Sequence, residues 1–442
     1  MGAVRVVILL LAAFTWLRGE ALEIEARLLA STPPPTVGQV RPYPRALATY
    51  LYEVRAVHRG EYEGKRILVA RWAIWNRQPL PGLPATKGAT TRLRLDPFID
   101  HPGLRGSRIV DHILERELVL HYDPSSRPPP EVARALADKS GDLDRGVMKG
   151  AGKGWLFLAD ELEHAREGRF WEKPWKRVSR AGVDPLPALL DFQKRLQEAG
   201  VRLLLVPVPT KVSIYPDCLA GGLQAATIPS DYLKLLELAG LNVLDLHPLF
   251  HKHRQDSGHR ALYCAQDTHW TPEACRLTAQ AIYRKLEGQD PPGHADLRPG
   301  ARQIRGDLAR MLQDPALPGE KIVFDEIVYP ASRDSQGYDH PASTVILLGD
   351  SNVAVFSDPR EELHGPGGGL PDYLGLYLGR ELDVIAAFGD GVHQARLNLY
   401  RWRSIRKPHY WKNKRWVVWC FSMREFTRAE QWRTDVPLLK RP

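Results

Sequence analysis

The chain has 442 residues, 43% of them hydrophobic and 26% charged, which is globular material long enough for two or three domains. Its formal charge of +9 favours an anionic partner: a nucleic acid, a membrane surface or an acidic polysaccharide. The lysines and arginines are spread out with no block of like charge and no nucleic-acid motif, so nucleic acid is not expected.

Residues 1–21 decide the compartment. Met1 to Arg5 gives a positive start, Val6 to Leu17 an apolar stretch, and Gly19-Glu20-Ala21 a small-x-small end. This reads as a secretory signal, too short to span a bilayer comfortably. Trp16-Leu17-Arg18 supplies an interfacial flank, which keeps an uncleaved N-terminal anchor open. Either reading exports the bulk of the chain to the periplasm or another extracytoplasmic space, and the anchor would tether it to the inner membrane.

Residues 22–45, with Pro33-Pro34-Pro35 and Pro42-Tyr43-Pro44, read as an extended linker. A β-rich module is expected over 46–124, with strands at 48–57, 67–75 and 90–95 and a turn at 60–64. Short strands between turn signals suggest a small all-β domain, a barrel or a sandwich. Trp72 and Trp75 with nearby arginines could form a sugar platform, although aromatics in such a domain more often fill its core. A second linker over 125–145 carries Pro128-Pro129-Pro130 and a short helical pattern at 131–140.

From 146 to 442 helix and strand patterns alternate. Helices are expected at 187–199, 230–239, 272–287 and 373–378. Strands are expected at 201–208, 241–246, 344–348, 384–388 and 416–419. This is the pattern of an α/β domain, a parallel sheet with helices on both faces.

Two stretches in this part carry chemistry. Thr344 to Leu348 is continuously apolar and rich in β-branched residues, and Gly349-Asp350-Ser351 follows it. A serine on the turn past a buried strand is held clear of the sheet, at the edge where open α/β sheets bind ligands. Asp267-Thr268-His269-Trp270 precedes a helix start marked by Thr271, Pro272 and Glu273. In an extended segment residues two apart share a face, so Asp267 can fix the His269 tautomer and free the other ring nitrogen for a serine proton.

Asp-x-His-Trp followed by Gly-Asp-Ser resembles the alginate O-acetyltransferase AlgX/AlgJ family, which is SGNH-hydrolase-like. Val147-Met148-Lys149-Gly150, Gly154 to Leu158, Val206 to Lys211, Tyr215-Pro216 and Gly306-Asp307-Leu308 agree with it. The resemblance covers about 147–430 and leaves the β-rich module out. It implies an SGNH-like sheet, with Ser351 as nucleophile, His269 as base and Asp267 as orienting acid. It also implies acetyl transfer through an acetyl-serine to an exported or cell-surface polysaccharide, anionic ones included. A membrane-bound O-acyltransferase would deliver the acetyl group, and no diffusible cofactor is required. A secreted carbohydrate acetylesterase with the same triad, or a non-catalytic polysaccharide-binding scaffold, are the alternatives.

Around this triad the Ser351 and Asn352 N–H groups and Gly389 are the expected oxyanion donors. Lys211, Trp270, Arg396 and Asn398 are candidate substrate contacts. Gly365 to Gly369 reads as a mobile loop near the site. Cys264 and Cys275 bracket the Asp267/His269 loop and form a disulfide or stay free. His247, His251, His253 and His259 lack a carboxylate or cysteine at ligand spacing, so they read as a solvated loop and no metal is expected.

Overall fold

A computed structural model describes residues 21–80, 86–128, 146–221, 228–256, 258, 260–293, 297–327 and 340–439. The signal or anchor segment, the 131–140 pattern and His259 lie outside the described residues. Among the described residues no helix is long and apolar enough to cross a membrane.

The N-terminal strands are β1 (Leu22–Ser31), β2 (Ala46–Arg59), β3 (Arg66–Trp75), β4 (Thr90–Pro97) and β5 (Leu120–Tyr122). β1 pairs with β2 and β4, β2 with β3, β3 with β5, and β5 with β4, which closes a five-stranded barrel. Closure leaves no sheet edge among these five strands. Residues 22–31 are therefore not linker. Leu22, Ile24, Ala26 and Leu28 alternate inward and pack with Tyr50, Tyr52, Val69 and Leu95.

The second sheet is built from β6 (Arg202–Val208), β7 (Val345–Gly349), β8 (Asp383–Ala386) and β9 (Trp416–Ser422). Its order is β6-β9-β7-β8 and every pair is parallel. The expected strand at 241–246 shrinks to one parallel bridge between Val243 and Leu205. Alternation splits the sheet into two cores. Leu205, Leu348, Val417 and Trp419 face one way, with Leu189 and Phe192 of α1 (Leu186–Glu198). Leu204, Leu347, Val418 and Cys420 face the other, with Ala279 and Ile282 of α2 (Pro272–Glu287) and Leu374 of α3 (Leu370–Leu378). Burial on both faces explains why the strands read as unbroken apolar runs.

The barrel shares a continuous core with the first of these faces, and Leu47, Leu51, Trp72 and Trp75 belong to it. The sugar-platform reading of the two tryptophans is thereby corrected: both are buried, their rings edge to face at 5.0 Å, and Trp72 Nε1 donates to Tyr122 Oη at 2.9 Å. Buried polar contacts fix the orientation of the two parts. Arg401 Nη1 donates to Asp111 Oδ2 at 2.8 Å, and Thr49 Oγ1 donates to Asp111 Oδ1 at 2.7 Å. Burial alone would raise the Asp111 pKa, but Arg401 and the Thr49 hydrogen bond outweigh it and lower it. Phe388 N–H donates to Gly106 O at 2.9 Å, which ties a barrel loop to the segment after β8.

Candidate active site

Ser351 follows β7 on a turn held from both sides by Asp350. Asp350 Oδ1 accepts from Asn352 N and Nδ2, each at 2.9 Å, and Oδ2 accepts from Ser422 N at 2.8 Å, at the end of β9. Gly349 is required because a Cβ there would come within 1.8 Å of Cys420 O on the neighbouring strand. Ser351 is thus seated on the sheet itself.

The second stretch reaches it from before α2. Thr271 takes the N-cap position with extended backbone, but its hydroxyl donates to Ala261 O at 2.6 Å and the expected side-chain cap is absent. Asp267 Oδ1 accepts from His269 N at 2.9 Å and from His269 Nδ1 at 2.5 Å. His269 Nε2 lies 2.7 Å from Ser351 Oγ. Since Asp267 offers only acceptors, Nδ1 holds the ring proton and Nε2 takes the serine O–H. Asp267, His269 and Ser351 are all buried.

Three further groups, which the sequence reading missed, complete this relay. Asp267 Oδ2 accepts from His364 Nε2 at 3.0 Å and from Asp307 N at 2.8 Å. Asp307 in turn accepts from Thr268 N at 2.8 Å and Thr268 Oγ1 at 2.5 Å. Tyr43 Oη donates to Ser351 Oγ at 2.8 Å. The Gly306-Asp307-Leu308 stretch was a signal for Asp307. His364 and Tyr43 stand in loops with no pattern to mark them.

Burial opposes the His269 imidazolium, but Asp267, with Asp307 and Asp350 further out, outweighs it and raises the His269 pKa. Burial also opposes the Asp267 carboxylate, yet His269 and His364 hold it well below the usual carboxylate range. Atoms of Asp267, His269 and Asp307 lie within 4.8 Å of one another, a spacing a metal could use. Each carboxylate oxygen of the two acids already accepts a protein donor, so the set fits a hydrogen-bonded relay.

Several expected contacts belong elsewhere. The Asn352 N–H is directed at Asp350 and not at a bound oxyanion. Lys211 is fully buried, and Nζ donates to the carbonyls of Leu156, Ala265 and Asp267 at 2.7, 2.8 and 3.0 Å. It braces the Asp267 loop from below instead of meeting sugar. Trp270 is buried too, and its Nε1 donates to Asn352 O at 3.1 Å, which locks the histidine loop to the serine turn. Arg396 and Asn398 are buried, Arg396 donating to Val392 O and Asn398 accepting from Gln394. Gly389 does border the site, because a Cβ there would sit 2.7 Å from the Tyr43 ring.

The other expectations are resolved as follows. The glycine loop is pinned: Gly367 and Gly369 N–H donate to Asp372, while Arg302 donates to the carbonyls of His364, Gly365 and Pro366. Cys264 and Cys275 are free, buried thiols, and burial pushes both pKa values up. His247, His251 and His253 lie on a helix (His247–Gln255) and not in a solvated loop. A cavity of about 340 Å³ between the barrel and the 353–360 segment is lined by Arg105, Gly106, Ala354, Arg360 and Trp402, and no triad residue lines it.

The chain is similar to several known proteins. A "probable alginate O-acetylase AlgJ" from Pseudomonas aeruginosa is 31% identical over 302 residues, which is 64% of this chain and 71% of the relative. Its counterpart from Pseudomonas syringae is 27% identical, over 53% of this chain and 59% of that protein. Among solved structures, the O-acetyltransferase domain of Pseudomonas putida AlgJ aligns with a TM-score of 0.45 and 21% identity, over 65% of this chain and 94% of that one. Residues 147–423 match the family described as SGNH hydrolase-like domain, acetyltransferase AlgX, and the chain belongs to that family.

Proposed function

We propose that the protein is a serine-dependent O-acetyltransferase acting on a polysaccharide outside the cytoplasm, fed with acetyl groups by a membrane-bound O-acyltransferase. The observation that carries this reading is the Asp267–His269–Ser351 relay, with His269 Nε2 at 2.7 Å from Ser351 Oγ. In the first half-reaction His269 takes the Ser351 proton while Oγ forms a bond to the acetyl carbonyl carbon. The carbonyl π pair moves to its oxygen, and collapse expels the donor's leaving group, which takes the proton from His269. In the second half-reaction His269 removes a proton from a sugar hydroxyl, whose oxygen attacks the acetyl-serine, and Ser351 leaves with the proton returned. Asp267, held by four donors, keeps the ring in the tautomer both halves need.

The test is intact-protein mass spectrometry after mixing the enzyme with an activated acetyl ester, with Ser351→Ala alongside. The expected result is a transient acetyl adduct on the wild type and none on the variant. An oligosaccharide acceptor should then draw the acetyl group off faster than water does. Equal, slow ester loss in both folded proteins would refute the nucleophile.

A further inference from the structure

Acyl transfer at Ser351 needs hydrogen-bond donors aimed at the developing oxyanion. The serine turn is short of them. The Asn352 N–H and one hydrogen of its side-chain amide are held by Asp350 Oδ1. The Ser351 N–H and the second hydrogen of the Asn352 amide are the turn's own remaining donors.

A further donor arrives from the other end of the chain. Tyr43 lies between β1 and β2 of the barrel, and its Oη is 2.8 Å from Ser351 Oγ. A serine hydroxyl has one proton, and here that proton goes to His269, so the phenol is the donor in this contact. The oxyanion will form on the same carbon that bonds to Oγ. A donor seated on Oγ reaches it by a small rotation of the O–H.

The tyrosine is also held in place before any reaction. Its ring stacks on Phe388 at 6.0 Å with the planes 20° apart. It lies against Gly389, where φ is +70° and a Cβ would intrude on the ring at 2.7 Å. Behind it, Arg108 of the barrel faces Asp390 at 3.5 Å and donates to Gln39 O at 3.4 Å. A group built to swing away as a plug would not be clamped by both parts of the chain. Burial pushes the phenol pKa up, so it remains a donor throughout the working range.

We propose that the barrel completes the active site, and that Tyr43 is a catalytic residue whose hydroxyl stabilises the oxyanion of each acyl-transfer step. This rests on the Ser351 nucleophile proposed above. During attack the Tyr43 O–H transfers its hydrogen bond from Oγ to the carbonyl oxygen as that oxygen gains the electron pair. Tyr43 itself gains and loses no proton. The interaction is stronger in the transition state than in the ground state, which is what accelerates a step.

The test uses the full chain and an activated acetyl ester, comparing wild type, Tyr43→Phe and Ser351→Ala in pre-steady-state acylation, with circular dichroism and thermal unfolding as fold controls. Tyr43→Phe keeps the ring and its stacking, so fold and KM should be unchanged. Its acylation rate should fall about 100-fold, as for loss of one oxyanion donor. A Tyr43→Phe rate within threefold of wild type would overturn the inference, and a faster one would make the tyrosine a plug. A KM rise with the rate constant intact would make it a substrate contact and would also overturn it. If Ser351→Ala still forms an adduct, the proposed function fails by itself. If Ser351→Ala is dead while Tyr43→Phe is unaffected, only the present inference fails.

Discussion

Asp267→Asn is the substitution from which most can be learned, because each Asp267 oxygen faces the same pair of donors: one backbone N–H and one histidine. Oδ1 meets His269 N–H and His269 Nδ1, and Oδ2 meets Asp307 N–H and His364 Nε2. An asparagine amide cannot satisfy both sides. Whichever way it turns, its NH₂ confronts one backbone N–H with no acceptor, at a cost of about 1–3 kcal/mol for a buried orphan. The histidine on that side can shift its proton and accept. If this is His269, Nε2 becomes protonated and the serine loses its base. If it is His364, the base survives without the negative charge that stabilises its imidazolium. The first outcome costs about 10⁴ in turnover, as in the general triad case of a neutralised acid, or about 5 kcal/mol. Replacing His364 as well, by Phe, removes the partner that tolerates the NH₂ on the Oδ2 side. The double variant should therefore be no more active than Asp267→Asn. Rates of activated-ester turnover, with urea unfolding to follow stability, decide this. An Asp267→Asn enzyme retaining more than about a tenth of wild-type activity would refute the assignment of Asp267 as the orienting acid.

The pH profile should show an acid limb. His269 must be neutral to accept the serine proton, and its pKa lies above 6.5, so kcat/KM should fall as pH drops through that raised value. A limb below pH 6 would contradict the Asp267–His269 contact. Lys211→Met should take a donor from the Leu156, Ala265 and Asp267 carbonyls and cost roughly 3 kcal/mol or more of stability, with KM for an oligosaccharide unchanged. A change in KM with stability intact would return this lysine to the substrate cleft. Gly349→Ala should destabilise by about 4 kcal/mol or more, since nothing lets β7 and β9 accept a Cβ at 1.8 Å from a carbonyl; soluble expression with a native unfolding midpoint would contradict it. Arg401→Leu should cost about 3–5 kcal/mol by taking the guanidinium partner from the buried Asp111 carboxylate, read as a lower thermal midpoint.

The Asp267–His269–Ser351 hydrogen-bonded arrangement was legible because its parts are local. Asp267 and His269 are two residues apart in front of a well-marked helix, and Ser351 closes an unmistakable buried strand. The parallel sheet was legible for the same reason: burial on both faces writes continuous apolar runs. What failed were inferences about where long polar side chains point. Lys211 and Arg396 follow strand ends, where ligands usually bind, but the fold uses both inside, one to cap carbonyls and one beside Phe192 and Trp419. Segment 22–31 shows its alternation plainly once Leu22, Ile24, Ala26 and Leu28 are seen to face a barrel interior. The prolines after it outweighed that pattern, because a strand whose partners lie elsewhere has no local signature. Tyr43 lies in the same proline-marked stretch. Its role depends on a contact that no window of sequence can contain.

That contact joins residues 308 positions apart, and the histidine reaches the serine across 82. Closing loops of this length costs entropy that is repaid only after both parts have folded and met. Secondary structure should therefore return early when the denatured protein is diluted into buffer, while a reactive serine appears late. A chain threaded unfolded through a membrane would carry no acylating activity on the way, and would acquire it only when its first strands and its last had come together on the far side.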